Sequence, residues 1–324
     1  MDISFKSVTH KACNGYPQSR ADIEESLKKV GVNLIEDYKG RDVGLVYGYP
    51  HNIKFIKRWG CKKLVIFTMF ESSKIPDDWI APLKQADLII VPCKFNQQAM
   101  KDAGFDAEVV PLGYNPKFFK YYKRPEGKKV YTFLHYDAYG YRKGWDITFK
   151  AFQKAFKPDD PVKLIFKTVW PKGNMPPMHQ YPNIEWDYRE FPRDRLQMEV
   201  INKADCMVFP SRGEGFGHTP LEAMATGIPV MIPDGSGMGE YFDQGRFIEL
   251  TWDWCDAQYD HYKTEDTGKM IACDVGYMAR MMREIYNRQD DPMLDEWNYK
   301  NAMWVSKNWT YKQTANKLKS LLCG

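Results

Sequence analysis

Several features that mark other protein classes are missing from this sequence of 324 residues. No apolar run approaches the roughly 20 residues that span a bilayer, and the N-terminal stretch MDISFKSVTHKACNGYPQ lacks the apolar core of a signal peptide. The seven cysteines are scattered and show no Cys-x-x-Cys spacing, which excludes a disulfide scaffold and a zinc knuckle. We therefore expect a soluble cytoplasmic protein with reduced thiols.

A strong net charge is also absent, since 46 Lys and Arg residues face 42 Asp and Glu residues. The small excess lies in residues 1–120, which hold 18 basic and 14 acidic side chains. The helix candidate HNIKFIKRWGCKK (51–63) brings Lys54, Lys57 and Arg58 to neighbouring positions, so they form one basic face. One interpretation is a solvated helix face. The other is a surface for an anionic acceptor, either on a membrane or on a nucleic acid.

Short apolar runs alternate with helical stretches along the whole chain. The runs predict strands over residues 43–48, 63–70, 87–93, 107–113, 130–136, 162–169, 183–188, 205–211, 228–233 and 246–250. Helices are predicted over residues 19–31, 51–60, 77–86, 96–104, 145–156, 193–204, 220–227, 278–288 and 311–322. This alternation predicts an α/β fold with parallel sheets that are covered on both faces.

A charged segment with proline and glycine, PKFFKYYKRPEGKK (116–129), separates the two sets of strands. It predicts an N-terminal domain over residues 1–120 and a second domain over residues 121–304. Two doubly wound domains in tandem enclose a ligand cleft, and ligands lie at the carboxyl ends of the strands. Functional residues should therefore follow strands directly.

The most informative stretch is PSRGEGFGHTPLEAMATGIPV (210–230), which follows the strand–loop–helix–strand pattern. Its glycines leave backbone N–H groups accessible to an anion or to sugar hydroxyls, as does the following helix N-terminus. These glycines are Gly213, Gly215 and Gly217. Glu214 lies between glycines, and Glu222 follows eight residues later. An alternative for Glu222 is a capping box with Thr219.

The spacing of Glu214 and Glu222 in EGFGHTPLEAMATGIPV closely resembles the retaining GT-B glycosyltransferases of family 4. The resemblance implies that Glu214 faces the donor sugar, and that Glu222 binds the ribose hydroxyls of the nucleotide. A carboxylate suits the second role because it accepts hydrogen bonds from two vicinal hydroxyls. Gly215, Phe216 and Gly217 would then belong to the donor site.

A second match to the family is YRKGWDITFKAFQKAF (141–156). The resemblance implies that Lys143 contacts the donor diphosphate, with Arg142 beside it, so Lys143 and Glu214 are the predicted catalytic residues. A cation at this place stabilises the negative charge that develops on the leaving group. The chain departs from the family at Asp137, where many members carry an arginine. Lys167, after the strand VKLIF, is a candidate for the missing cation.

The N-terminal part resembles the family as well. NGYPQSRADIEESLKKVG matches the first glycine loop and helix, which places Gly15 at the donor and Tyr16 on the acceptor side. Glu71 is expected to face the cleft from the acceptor side, with an ordinary helix-start carboxylate as the alternative. His51 is the nearest counterpart of a histidine that many members carry. The final helix, about 305–324, resembles the family's helix that crosses back to the first domain.

The resemblance implies a GT-B fold, two Rossmann-like domains with a cleft between them. It implies a hexosyltransferase that moves a hexose, glucose from UDP-glucose by family frequency, with retention of configuration. The acceptor stays open among a glycan, a lipid-linked sugar and a modified base in DNA. The chain has no Asp-x-Asp pair and no His/Cys cluster with metal spacing, so we expect no metal and no cofactor.

Two functions from other classes compete with this prediction. A nucleotide-sugar binding protein without transferase activity would use the same cleft. A dinucleotide-dependent oxidoreductase is disfavoured, because no strand is followed by Gly-x-Gly-x-x-Gly with an acidic residue about 20 positions later.

Overall fold

The computed structural model describes residues 2–8, 15–35, 41–53, 60–125, 127–168, 181–259 and 266–323. Within these residues, the first sheet has six strands, all parallel, in the order β2-β1-β3-β4-β5-β6. Its strands are β1 (Ile3–Val8), β2 (Leu34–Ile35), β3 (Val43–Gly48), β4 (Lys63–Phe67), β5 (Leu88–Val91) and β6 (Glu108–Val109).

The second sheet, in the same described part, is also six-stranded and parallel, in the order β12-β11-β10-β7-β8-β9. Its strands are β7 (Tyr131–Tyr136), β8 (Val162–Lys167), β9 (Ile184–Asp187), β10 (Cys206–Val208), β11 (Val230–Ile232) and β12 (Ile248–Glu249). An antiparallel pair follows, formed by β13 (Trp252–Asp256) and β14 (Lys269–Cys273).

Helices cover the sheets and connect their strands. They are α1 (Gly15–Lys29), α2 (Ile80–Leu83), α3 (Lys94–Asp102), α4 (Trp145–Ala155), α5 (Arg193–Glu199), α6 (His218–Ala225), α7 (Val275–Asn287), α8 (Pro292–Asn308) and α9 (Tyr311–Cys323). Across the described ranges, no helix combines the length and the apolar character that crossing a membrane requires.

Buried strands explain why the sheets could be predicted. All six residues of β3, VGLVYG, are buried, as expected for a central parallel strand covered on both faces. Each of the ten predicted strands contains an observed one. The strands β1, β2, β13 and β14 were not predicted, and neither was helix α8.

The last helix returns to the N-terminal sheet. Ile23 and Leu27 on α1 share one core with Ala315 and Leu318 on α9. The Lys319 ammonium donates to the carbonyl oxygen of Val30 at 2.6 Å. The first sheet is therefore covered by a helix from the far end of the chain.

The order of strands determines where the site lies. In the second sheet β7 lies between β10 and β8, so the chain leaves β7 and β10 in opposite directions. A crevice opens between such neighbouring strands at their carboxyl ends. The loops after β7 and β10 hold the motifs with Lys143 and Glu214.

Candidate functional site

The turn that carries Arg142 and Lys143 directly follows β7 and packs on the end of β10. A single 3-10 turn, Tyr141–Lys143, ends at Gly144, whose φ of 71° lies in the left-handed region. A Cβ at Gly144 would lie 2.1 Å from the carbonyl oxygen of Pro210. Glycine is therefore required after the two cations both for backbone conformation and for space.

The carboxylate of Glu214 is held by three donors at the floor of this crevice. The Lys143 Nζ and the Ser211 Oγ each lie 2.6 Å from Glu214 Oε1, and Arg142 Nη1 lies 3.3 Å away. Glu214 is 8% exposed. Burial acts to raise the pKa of Glu214, but the charges of Lys143 and Arg142 outweigh it and hold the pKa below its ordinary value. Glu214 is thus an ionised carboxylate at neutral pH.

Asp137, at the end of β7, adds a second carboxylate to this turn. Its Oδ2 lies 2.8 Å from the Nζ of Lys143. Burial raises the pKa of Asp137 to about 6, although the charge of Lys143 acts in the opposite direction. Lys167 donates instead to the carbonyl oxygen of Asp187 at 3.3 Å, so the second cation beside Lys143 is Arg142.

Glu71 joins the site from the N-terminal domain. Its Oε1 lies 3.6 Å from Arg142 Nη2, in the loop that follows β4. This ion pair crosses between the domains, which the alternative of a helix-start carboxylate does not explain. Glu71, Asp137, Arg142, Lys143 and Glu214 together form what we call the Glu214 cluster.

The glycines of the loop after β10 allow the two domains to touch. A Cβ on Gly213 would lie 2.1 Å from the carbonyl oxygen of Glu71, and one on Gly215 would lie 2.5 Å from the side chain of Met69. Gly217 has a φ of 84° and begins α6 as its N-cap residue. Close contact between the domains therefore favours glycine at positions 213 and 215, in addition to the predicted access for a ligand.

Phe216 does not offer its ring to a ligand. The side chain is 1% exposed, and its ring centroid lies 5.3 Å from that of Tyr241 and 5.4 Å from that of His218. The apolar ring is therefore enclosed by the core, and the place of Phe216 in the donor site stays a prediction. His218 has a packing role too, since its Nε2 lies 2.9 Å from the hydroxyl of Tyr311.

The second glycine-rich loop, residues 235–239, holds the backbone of Glu214. The Ser236 hydroxyl accepts from the Glu214 N–H at 2.8 Å, and the Gly237 N–H donates to the Glu214 carbonyl at 3.0 Å. Ser236 has a φ of 58° and, among the described residues, is the sole non-glycine with positive φ. Backbone strain of this kind persists only where the surrounding structure enforces it. Here the strained turn makes the hydrogen bonds from Ser236 and Gly237 that hold the backbone of Glu214.

Glu222 does not cap its helix, so the alternative of a capping box is wrong. Helix α6 already begins at His218, and its N-cap has no side-chain hydrogen bond. Thr219 lies inside the helix. Glu222 instead approaches Arg193 on α5, with 3.6 Å between its Oε1 and Nη2. Burial raises the pKa of Glu222 to about 7.

Sequence reasoning missed the partners of Glu222. Arg193 Nη1 lies 2.6 Å from Asp22 Oδ2 on α1, and Asn115 donates to the other oxygen of Asp22 at 2.6 Å. Burial raises the pKa of Asp22 as well. We call Asp22, Arg193 and Glu222 the Arg193 bridge, because it links the two domains beside the Glu214 cluster. No local pattern pointed to Asp22 on α1 or to Arg193 on α5.

The predicted acceptor side lies next to the Glu214 cluster only in part. Tyr16 is buried on α1, and its hydroxyl donates to the carbonyl oxygen of Met69 at 3.2 Å, two residues before Glu71. Gly15, which was predicted on the donor side, begins α1, and no atom of the described residues lies within 4 Å of a Cβ added there. His51 stacks on Tyr49 with 5.7 Å between ring centroids.

Some predicted residues fall outside the described residues. Those are Lys54, Lys57 and Arg58 of the basic face. Among the residues that the structure does describe, no group of three His, Cys, Asp or Glu side chains could hold a metal ion.

The loop after β4 is also held by the connection between β13 and β14. The Ser72 hydroxyl donates to the carbonyl oxygen of Thr267 at 2.6 Å, and the ring of Phe70 stacks on Tyr259 with 5.1 Å between centroids. Lys269 is bound at both its N–H and its carbonyl by Ser73. The antiparallel pair thereby fastens the loop with Glu71 against the second domain.

Comparison with solved structures supports the fold. Anabaena HepE in complex with UDP superposes with a TM-score of 0.69 at 14% identity, over 100% of both chains. The sucrose-phosphate synthase of Thermosynechococcus elongatus superposes with a TM-score of 0.68 at 13% identity, over 99% of this chain and 98% of that one. At such low identity these similarities establish the two-domain GT-B architecture, which confirms the predicted fold.

Two curated relatives match by sequence over a shorter segment. The lipopolysaccharide core biosynthesis mannosyltransferase LpsB of Rhizobium meliloti (strain 1021) is 32% identical over 114 residues, 35% of this chain. The D-inositol 3-phosphate glycosyltransferase of Paenarthrobacter aurescens (strain TC1) is 31% identical over 108 residues, 32% of this chain. The matched segments span about a quarter of those relatives, 27% and 26% of their lengths.

A family model covers more of the chain than either relative does. The family described as family 4 glycosyltransferases in conflict systems matches residues 110–318. This range includes Arg142, Lys143, Glu214 and Glu222, the residues on which the resemblance was based. The chain therefore belongs to the family 4 glycosyltransferases of conflict systems.

Proposed function

We propose that this protein is a retaining glycosyltransferase that moves a hexose from a nucleotide sugar to an acceptor hydroxyl. The observation that carries the proposal is the Glu214 cluster, because it brings Lys143, Arg142 and Glu214 together at the crevice between β7 and β10. The donor would lie there, with its diphosphate on the two cations and its sugar near Glu214. The ribose would reach Glu222 on α6.

In the proposed reaction the bond between the anomeric carbon and the diphosphate oxygen breaks. The acceptor oxygen forms the new bond on the same face of the sugar, and its proton passes to the leaving diphosphate oxygen. Lys143 and Arg142 would stabilise the negative charge on the leaving group. The protein contributes positioning and electrostatics, so we propose that neither a metal nor a further cofactor is required.

UDP-glucose is the first donor to test. It is the donor proposed from the family resemblance, and the fold neighbour HepE was solved both with UDP and with UDP-glucose. The purified protein would be incubated with a panel of nucleotide sugars, and release of the nucleoside diphosphate would be followed by a coupled assay. Release from one donor supports transfer or donor hydrolysis. Donor binding without release would favour a nucleotide-sugar binding protein instead.

A matched pair of variants links that activity to the site. Lys143→Ala removes one of the two cations of the Glu214 cluster and should lower the release of nucleoside diphosphate. Lys163→Ala removes a lysine near the start of β8, where it pairs with Glu185, and should leave the release unchanged. Equal activity in the two variants would contradict the placement of the donor.

The acceptor is proposed to bind on the N-terminal side of the cleft, as a glycan, a lipid-linked sugar or a modified base in DNA. The excess of basic residues in residues 1–120 makes an anionic acceptor testable. Binding to anionic vesicles and to duplex DNA would be measured from low to physiological salt, with Lys54, Lys57 and Arg58 replaced by Glu for comparison. If the wild-type protein binds neither at low salt, the acceptor is small and neutral. The cytoplasmic location stays a prediction.

A further inference from the structure

The Glu214 cluster holds more negative than positive charge. Its two cations, Arg142 and Lys143, face three carboxylates, those of Glu71, Asp137 and Glu214. All five side chains are at least three-quarters buried, with exposures between 10% and 24%. With every carboxyl ionised, the cluster carries one net negative charge.

A donor diphosphate would add two more negative charges at this place. Lys143 is already bound on both sides, by Asp137 Oδ2 at 2.8 Å and by Glu214 Oε1 at 2.6 Å. A phosphate that reached Lys143 would therefore approach the ionised carboxylate of Asp137 in a buried site, where like charges repel strongly. Either a carboxylate must leave the cluster or it must lose its charge.

We propose that Asp137 makes donor binding proton-linked, taking up one proton when the diphosphate binds and thereby releasing Lys143 to the phosphate. This inference rests on the proposed function, because it assumes that the donor diphosphate binds at the Glu214 cluster. Protonated Asp137 would no longer compete for Lys143, and it could donate a hydrogen bond to a phosphate oxygen.

The surroundings of Asp137 favour this residue as the proton acceptor. The charged groups that face it are Lys143 and Arg142 from the turn after β7 and Glu214 from the loop after β10. Tyr136, its neighbour on β7, is a further titratable group beside it. Burial raises the pKa of Asp137 to about 6, whereas the two cations hold the pKa of Glu214 below its ordinary value. Asp137 is therefore the carboxyl of the pair that protonates near neutral pH.

The Arg193 bridge holds the competing carboxyl, because burial raises the pKa of Glu222 to about 7. That residue would meet ribose hydroxyls, which are uncharged, so donor binding gives it no comparable reason to take up a proton. Variants of Asp137 distinguish between the two carboxyls.

Titration calorimetry with UDP-glucose tests the proposal directly. Both phosphates of this ligand are esterified and do not titrate near neutral pH, so any proton taken up goes to the protein. Binding would be measured between pH 6 and 8.5 in buffers that differ in ionisation enthalpy. We expect wild-type protein to take up about one proton per ligand above pH 7, with the dissociation constant rising about tenfold per pH unit.

Two variants complete the design. Asp137→Asn keeps the shape of the side chain but cannot titrate, so we expect no proton uptake and a dissociation constant that does not change with pH. Asp160→Asn is the matched control, since Asp160 pairs with Arg283 at 2.9 Å. Asp160 lies just before the amino end of β8, whereas the Glu214 cluster lies at the carboxyl ends of the strands. It should behave like the wild type.

Three results would overturn the proposal. Binding of UDP-glucose to wild-type protein without proton uptake contradicts it while leaving the proposed function intact, and this result depends on no variant. Proton uptake that persists in Asp137→Asn assigns the proton to another carboxyl, with Glu222 as the candidate. Failure to bind UDP-glucose or any other nucleotide sugar overturns both the proposed function and this inference.

Discussion

Replacing Glu222 by glutamine should make the protein more stable and bind its donor less well. The side chain is 12% exposed and lies 3.6 Å from Arg193. Glutamine keeps the size and one acceptor oxygen but cannot ionise. Arg193 retains its closer partner Asp22 at 2.6 Å, so the change does not leave the guanidinium unpaired.

The size of the effect follows from the pKa of Glu222, which burial raises from 4.5 to about 7. A carboxyl with a raised pKa contributes stability when the pH is below its unfolded-state pKa. This contribution is lost as the pH rises through its folded-state pKa. The raised pKa of Glu222 therefore lowers the unfolding free energy by about 3 kcal/mol at pH 8, but only by about 1 kcal/mol at pH 5, because the unfolded chain ionises this carboxyl more readily. We expect the unfolding free energy of Glu222→Gln to exceed that of the wild type by about these amounts at the two pH values.

Urea unfolding at pH 5, 6, 7 and 8 would measure the difference. Glu199→Gln serves as the matched control, because Glu199 is a solvent-facing residue of α5 that pairs with Arg195 and Lys203 and should give no gain at pH 8. UDP-glucose binding by Glu222→Gln should weaken by roughly tenfold, the loss of one charge-assisted contact. A variant no more stable than the wild type at pH 8 would refute the assignment of a buried, unfavourably ionised carboxyl.

The remaining predictions concern the cluster and a buried histidine. Lys143→Ala should weaken donor binding by roughly tenfold to a hundredfold. It should also lower the unfolding free energy by about 3–5 kcal/mol, because Asp137 and Glu214 lose their shared cation. Unchanged donor affinity in the folded variant would remove Lys143 from the site. Glu214→Gln should reduce turnover by roughly tenfold to a hundredfold with a smaller loss of donor affinity, which steady-state kinetics and calorimetry separate; near-normal turnover would contradict its position at the sugar. His135 is 2% exposed, its Nδ1 lies 2.8 Å from Thr148 Oγ1, and burial lowers its pKa to about 3. The stability that neutral His135 contributes is present above pH 6.5 and is lost in acid. The wild type should therefore lose about 2 kcal/mol of unfolding free energy between pH 6.5 and 4.5 relative to His135→Asn; parallel curves for the two proteins would contradict this.

Ten of the twelve parallel strands in the described residues could be predicted, because burial on both faces makes such strands nearly continuous apolar runs. The other two carry a weaker signal, since Ser and Lys interrupt β1, ISFKSV, and β2 has two residues. The antiparallel pair gives no such signal. In β13, WDWCD, every residue is at least partly exposed. Its sequence therefore alternates aromatic and charged side chains and contains no apolar run. Helix α8 did carry a local signal, because Asp291 caps it by accepting from the N–H of Met293, and Pro292 occupies its first position.

The candidate site divides in a similar way. Lys143 and Glu214 could be expected to meet because each follows one of two neighbouring strands, β7 and β10. Asp137 was noticed as a departure from the family, but only the structure shows that it shares Lys143 with Glu214. Asp22 and Arg193 could not be paired from sequence, since their contact joins α1 to α5 and depends on how the two domains pack.

The return of α9 onto α1 has a consequence for biosynthesis. Lys319 and Val30, which are hydrogen-bonded, lie 289 positions apart. At about 5–20 residues per second, a ribosome needs on the order of 15–60 s to make that stretch. During this interval the apolar face of α1, with Ile23 and Leu27, has no covering helix. The first domain to be synthesised is therefore the last to be completed, and the nascent chain presents this face to chaperones until α9 arrives.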